Sequence, residues 1–243
     1  MNALELVGLT KVHGTGVNTF RALDNVSLTV GPGELVAVMG PSGSGKTTLL
    51  TIAGGLEAPT EGQVIVRGHD LASMTRDQRA ALRRSSVGYI FQEFNLLSAL
   101  TAVENVAMPL ELDGCSSATA RRLSMESLAR VGLSDRANHF PDDLSGGERQ
   151  RIAIARALVS RGQDGQHRLL LADEPTGSLD TVNGDAVMEV LRSACDEGAS
   201  GVMVTHDARL ASWSDRIVFL RDGVVVDEAV PDGPESLLVG DHQ

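Results

Sequence analysis

The chain has 243 residues, 42% of them hydrophobic, a length that allows one α/β domain with a full core. Its formal net charge of −11 argues against nucleic acid as a partner, because binding to a phosphate backbone normally requires a basic surface. The widely spaced Cys115 and Cys195, the lack of a membrane-length apolar stretch and an N-terminus unlike a signal peptide predict a cytoplasmic protein with reduced thiols.

Short β-rich segments precede the first recognisable motif. Residues 3–10 and 22–30 are predicted strands, and the buried run 34–39 leads into "GPSGSGKTT". A helix is predicted over 46–53, and a further strand over 62–67 follows the breaker "APTEG". The glycine-rich stretch therefore lies at a junction between a strand and a helix.

That stretch fits the pattern G-x-x-x-x-G-K-[ST], here called the P-loop. At this junction its backbone amides can form an anion cradle at the helix N-terminus. Lys46 is expected to reach the β- and γ-phosphates of a nucleotide, Thr47 to ligate Mg²⁺, and Thr48 to add a phosphate contact. The alternative is a flexible turn that binds nothing. The predicted phosphate-binding residues are Gly40, Pro41, Ser42, Gly43, Ser44, Gly45, Lys46, Thr47 and Thr48.

The middle of the chain changes from strand to helix. Residues 87–92 ("VGYIFQ") predict a buried strand, and helical patterns follow to about Ser145. Ser116 and Ser117 can cap a helix whose small or apolar face contains Ala120, Leu123, Ser127, Leu128 and Val131.

A second candidate phosphate-binding end follows in "DDLSGGERQRIAIARAL". Ser145, Gly146 and Gly147, here called the signature turn, precede an Arg- and Ala-rich helix. A serine hydroxyl and glycine amides at a helix N-terminus favour an anion. The alternative is an ordinary capped helix, because Ser-Gly-Gly is also good capping chemistry.

The C-terminal third returns to strands. We predict strands over 168–173 and 201–206 with a helix from about Val182 to Glu197, and a surface loop over 161–167. Asp222-Gly223 between two β-rich runs predicts a hairpin. The expected fold is α/β, with a mostly parallel sheet flanked by helices, a β-rich N-terminal part and a helical insertion at 93–147.

The order of these motifs closely resembles that of ATP-binding-cassette (ABC) ATPases over nearly the whole chain. "LSGGE" resembles their signature, Gln92 their Q-loop glutamine, and "TGSLD" their D-loop, ending at Asp180. The resemblance implies that Gln92 contacts Mg²⁺ and senses a partner, and that Asp180 faces a second subunit. The alternative interpretation of Gln92 is as a surface glutamine.

Three further residues match catalytic positions of these ATPases. Asp173 and Glu174 end an apolar strand, where Asp173 can hold Mg²⁺ and Glu174 can act as the general base towards water. His206 ends the next strand and matches the switch histidine that bonds the γ-phosphate. With Lys46, Glu174 and His206 form the predicted catalytic set, Thr47, Gln92 and Asp173 are the predicted Mg²⁺ ligands, and the implied cofactors are ATP and Mg²⁺. The alternatives are solvated loop charges for the acidic pair and a structural role for His206.

The resemblance also implies an architecture and partners. It is that of a P-loop NTPase core with an N-terminal antiparallel β subdomain, in one nucleotide-binding domain of residues 1–243. Residues 1–92 and 148–243 would form the ATPase core, and 93–147 a helical signature subdomain. Two chains, identical or related, would close head to tail around two ATP molecules.

The stretch "VGYIFQEFNLLSALTAVENVAMPLEL" looks like the subfamily that serves macrolide export, lipoprotein release, antimicrobial-peptide resistance and the cell-division cassette. The implied partner is an integral-membrane permease that holds the ATPase on the inner face of the membrane. The apolar segment after Gln92 can form a groove for it or simply pack internally. The alternative function is signalling through a permease-like protein to a cell-wall hydrolase.

One position departs from the family pattern. Where these ATPases usually carry Lys-x-Tyr, with the tyrosine stacked on adenine, "TKVHG" places His13. We predict that His13 stacks on the base, although Phe20 can cover it instead.

Overall fold

The N-terminal strands form an antiparallel sheet of their own. The computed structural model describes residues 1–14, 16–159 and 168–233. In this sheet the order is β2-β1-β4-β5, and Leu4 pairs with both Val30 and Val66. Its strands are β1 (Leu4–His13), β2 (Phe20–Val30), β4 (Glu61–Val66) and β5 (His69–Asp70).

A second, larger sheet carries the predicted motifs. Its order is β10-β9-β3-β8-β7-β6, parallel except for the β9–β10 hairpin. That hairpin turns at Asp222 and Gly223, whose φ angles are 49° and 78°. Its strands are β3 (Leu35–Met39), β6 (Val87–Ile90), β7 (Leu169–Asp173), β8 (Ser200–Thr205), β9 (Arg216–Arg221) and β10 (Val224–Ala229).

Helices connect and cover these strands, and short polar side chains begin several of them. Thr75, Ser116, Ser145 and Asp180 each accept a hydrogen bond from a backbone amide of the first helical turn. The helices are α1 (Lys46–Ala53), α2 (Arg76–Ser86), α3 (Ala102–Leu112), α4 (Ser117–Arg130), α5 (Gly146–Leu158), α6 (Thr181–Asp196) and α7 (Ala208–Ala211).

Three apolar clusters hold the layers together. The first joins the two sheets through α1, with Leu49 and Ile52 fully buried. The second packs α6 and one side of α5 on the other face of the larger sheet. The third unites α3, α4 and the other side of α5, where Ile152 is fully buried. Helix α5 therefore packs against both the larger sheet and the helices α3 and α4.

The predicted fold class is confirmed, and so are most of the predicted elements. Helix α2 was missed because its sequence is too polar to show an apolar face, although Thr75 and Gln78 form a capping box that marks its start. The predicted strand over 87–92 ends earlier, at Ile90. The predicted loop at 161–167 lies outside the described residues. Within the described parts of the chain, no helix combines the length and apolarity needed to cross a membrane.

Candidate nucleotide site

The P-loop connects β3 to α1 in a conformation that only glycine adopts easily. Gly45 precedes α1 with φ at 102° and gives the helix no side-chain cap. A Cβ at Gly45 would lie 2.4 Å from the Ala22 carbonyl oxygen. The loop thus packs against β2, and the first amides of α1 remain available for an anion.

Lys46 is anchored inside this loop. Its Nζ donates to the carbonyl oxygens of Gly40 at 2.7 Å and Pro41 at 2.9 Å. A cation held at a helix N-terminus favours phosphate, because both the ammonium and the helix dipole attract negative charge.

Thr47 and Asp173 line the same cavity beside the first turn of α1. Asp173 ends β7, and Thr47 lies near enough to act on the pKa of its carboxyl group, in the lowering direction. Burial is the main cause that raises the pKa of Asp173 above its ordinary value, with the neighbouring Glu174 acting in the same direction. A hydroxyl and a carboxylate that line one cavity are hard oxygen ligands of the kind that Mg²⁺ prefers, so this pair fits that ion.

Glu174 and His206 form a close pair at the ends of β7 and β8. His206 Nδ1 lies 2.7 Å from Glu174 Oε1, and the Thr205 hydroxyl lies 3.4 Å from Glu174 Oε2. Glu174 has φ at 45°, an uncommon conformation for a residue other than glycine. Such backbone strain persists where surrounding contacts hold it and often accompanies function.

One cavity of about 500 Å³ brings most of these residues together. Residues of the P-loop line it together with Gln92, Asp173, Glu174 and His206. Its size and polar residues suit a nucleotide. The full lining is Phe20, Ala22, Ser42, Gly43, Gly45, Lys46, Thr47, Thr48, Gln92, Asp173, Glu174 and His206.

Asp180 lies in a neighbouring cavity of about 240 Å³, which Glu174 and His206 also line. Its carboxylate accepts from the Asn183 amide at 3.0 Å, and this hydrogen bond is the main cause that lowers the pKa of Asp180. On the other side of the loop, the Ser178 hydroxyl donates to the Gln92 carbonyl oxygen at 3.1 Å. The loop that contains Asp180 is therefore tied to Gln92.

The signature turn lies outside the nucleotide cavity. Ser145 caps α5 by accepting from the Glu148 amide at 3.3 Å, and Glu148 accepts from the Ser145 amide at 2.9 Å. That second bond is the main cause that lowers the pKa of Glu148. Ser145 is exposed, so its hydroxyl can meet a group from another molecule.

His13 also lies outside the cavity lining. Its ring stacks on Phe20, with 5.3 Å between ring centroids, and its Nδ1 lies 3.9 Å from Glu57. Phe20 lines the cavity and is 62% exposed. The stacking of His13 on adenine stays a prediction, with Phe20 as the nearer candidate.

Sequence reasoning passed over Ala22 and Thr205. Ala22 shows no chemical signal, because it contributes its backbone and small size. Thr205 directly precedes the recognised His206, and that position was the available signal.

The sequence of this chain is similar to those of known proteins. A family model described as ABC transporter matches residues 23–177. The macrolide export ATP-binding/permease protein MacB of Photorhabdus laumondii is 43% identical over 94% of this chain, which spans 35% of that protein. An uncharacterized ABC transporter ATP-binding protein of Methanocaldococcus jannaschii is 43% identical over 92% of this chain and 98% of its own length.

Two solved structures of one cassette give the same result. The dimeric structure of the bacterial ABC transporter cassette MJ0796 is 40% identical, with a TM-score of 0.84 over 95% of this chain and 99% of that one. A dimeric post-hydrolysis structure of MJ0796 bound to ADP and phosphate matches with the same values.

Proposed function

This chain belongs to the ABC transporter family, and from that premise we propose that it binds and hydrolyses ATP as a pair of chains to drive a membrane permease. The observation that carries this proposal is that the two candidate phosphate-binding helix N-termini, at the P-loop and at the signature turn, do not line the same cavity. The nucleotide cavity gathers Lys46, Asp173, Glu174 and His206, whereas Ser145 lies exposed outside its lining. A second chain can then supply its signature turn to the first chain's nucleotide. The MJ0796 cassette, solved as a dimer, supports this arrangement.

Within the cavity, each residue has a proposed role. The P-loop amides and Lys46 hold the phosphates, and Glu174 accepts a proton from the attacking water. The contact at 2.7 Å lets His206 orient the Glu174 carboxylate and face the γ-phosphate. Thr47, Asp173 and Gln92 would hold Mg²⁺, which neutralises phosphate charge when bound.

Glu174→Gln tests this assignment. The amide cannot accept the proton, so ATP binding should persist while turnover falls by about a hundredfold or more. Slow turnover should trap an ATP-bound dimer, seen as an earlier peak in size-exclusion chromatography with ATP.

The matched control is Glu126→Gln on the exposed surface of α4, which should hydrolyse ATP as the parent does. A Glu174→Gln protein that stays monomeric and hydrolyses ATP normally would remove Glu174 from the role of base.

The permease is expected to dock in a groove of about 370 Å³ between α2, α3 and α5. Leu97, Met108 and Leu112 line it together with Arg83 and Arg156. Exposed apolar side chains beside arginines suit a short amphipathic helix with acidic residues. We therefore place the chain on the inner face of the membrane through that partner. Leu112→Glu should keep the ATPase rate of the isolated chain and abolish stimulation by the reconstituted permease.

The division into an ATPase core and a helical part at 93–147 is supported by the separate apolar cluster of α3 and α4. Its second boundary falls within the first turn of α5. This helix, packed in two clusters, is the expected mechanical link between the two parts.

A further inference from the structure

The segment directly after Gln92 has an unusual backbone. Phe94 and Asn95 have φ angles of 61° and 50°. Asparagine tolerates this left-handed region, whereas a bulky residue such as phenylalanine is a genuine outlier there. Local preference does not explain the Phe94 conformation, so contacts from elsewhere in the molecule must stabilise it.

Two arginines of α5 supply those contacts. The Arg156 guanidinium donates to the Phe94 carbonyl oxygen at 2.9 Å and also to that of Asn95. Arg149 lies over the Phe94 ring, 5.1 Å from its centroid, in a cation–π arrangement. Burial lowers the pKa of Arg156. One helix therefore holds both the backbone and the ring of Phe94.

The ring also adjoins the signature turn. A Cβ built on Gly146 would lie 3.9 Å from Phe94 Cζ, so the space beside the first residue of α5 that a methyl group would fill faces the ring. Asn95 and Arg156, which are joined by the hydrogen bond described above, also line the groove proposed for the permease. Phe94 thus lies between the groove and the signature turn.

We propose that Phe94 is a positioning residue for the signature turn: Arg156 holds its backbone, and Arg149, in the first turn of α5, packs over its ring. This inference rests on the proposed function for its catalytic consequence. Its structural part, the dependence of the turn on the ring, stands independently.

The first test compares Phe94→Leu with Phe94→Tyr. Leucine keeps an apolar side chain but loses the ring, whereas tyrosine keeps the ring beneath Arg149. Phe94→Leu should lower kcat by about tenfold with KM and ATP binding unchanged. A catalytic group displaced by about 1 Å can lower the rate about a hundredfold, and we expect the turn to shift by less than that. Phe94→Tyr should retain the parental kcat. Thermal denaturation checks that both variants are folded.

A second measurement does not depend on hydrolysis. In amide hydrogen exchange, Phe94→Leu and Arg149→Met should both exchange severalfold faster than the parent at residues 146–149, with no change at 40–48. Arg122→Gln, an exposed arginine of α4 paired with Glu126, is the matched control and should leave both regions unchanged.

The outcomes separate the two proposals. A parent chain without ATPase activity would overturn the proposed function, and the exchange data would still decide the positioning role. Parental exchange at 146–149 in a folded Phe94→Leu protein would overturn the positioning role. Parental kcat in that variant would overturn its catalytic consequence.

Discussion

Helices α1 and α5 both begin at a candidate phosphate site, yet their N-termini are built differently. At α1, glycine replaces a side-chain cap, and residues of the same chain wall the cavity around the open amides. At α5, Ser145 and Glu148 satisfy each other's amides, and Ser145 is exposed. The Ser145 hydroxyl accepts a hydrogen bond there, so its own proton can still be donated outward. One end is enclosed by residues of the chain itself, whereas the hydroxyl at the other end is open to a second molecule.

The largest expected effect separates binding from hydrolysis. Ser145→Arg places a bulky charge where the partner's γ-phosphate would dock. ATP should still bind to each monomer, and hydrolysis should fall by about a hundredfold or more, as when an essential donor to the transition state is lost. Binding titration and phosphate release measure the two quantities.

Lys46→Ala, unlike Ser145→Arg, should weaken the binding of nucleotide to each monomer. A mixture of the two variants should regain partial activity, because a mixed pair contains one site with an intact P-loop and an intact signature turn. Parental activity of Ser145→Arg alone would contradict the shared site.

Glycine substitutions test the same contrast at the level of backbone. Gly45→Ala combines φ at 102° with a Cβ only 2.4 Å from the Ala22 carbonyl oxygen. Gly146→Ala places its Cβ 3.3 Å from the flexible end of Leu179. We expect Gly45→Ala to weaken ATP binding by about tenfold or more, since such strain costs ~1–3 kcal/mol. Gly146→Ala should bind ATP as the parent does. Equal affinities in a fluorescence titration would show that the P-loop does not need this geometry.

Substitutions in the wall predicted to cover adenine should have a smaller effect on ATP binding. Stacking of a base on an aromatic ring is worth ~1–3 kcal/mol. Because Phe20 lines the cavity and His13 stacks behind it, Phe20→Ala should weaken ATP binding more than His13→Ala. If His13 itself contacts the base, the order reverses and His13→Tyr tightens binding by a few-fold. Titrations of these variants with labelled ATP distinguish the two assignments.

The smallest effect concerns the capping box of α5. The hydrogen bond from the Ser145 amide lowers the pKa of Glu148, so its charged form stabilises the folded state above the ordinary glutamate pKa. That contribution is lost as pH falls through the lowered value. Glu148→Gln should cost no more than about 1 kcal/mol near neutral pH, with the difference from the parent shrinking in acid. Urea denaturation across the acid range measures it, and a difference independent of pH would exclude the carboxylate as the cause.

Local rules predicted the elements that depend on local chemistry. The glycine pattern of the P-loop, the Ser116 cap and the Asp222-Gly223 hairpin are encoded within a few residues, so they were readable from the sequence. The same rules missed α2, because its capping box at Thr75 precedes a mostly polar helix. Local rules also could not predict the register shifts within β1, because these shifts depend on its pairing with both neighbouring strands.

The sequence by itself determined the fold class, the P-loop and the identity of the acidic pair at the end of β7. Only the tertiary structure decided which residues meet. It brought Thr47 and Asp173 into one cavity and His206 into contact with Glu174, and it placed Phe20 rather than His13 at the cavity wall. It also held Phe94 against its own backbone preference through Arg156. The reason is physical: a motif fixes backbone conformation over a few residues, whereas contacts between strand ends, loops and helices far apart in sequence form only when the whole core packs.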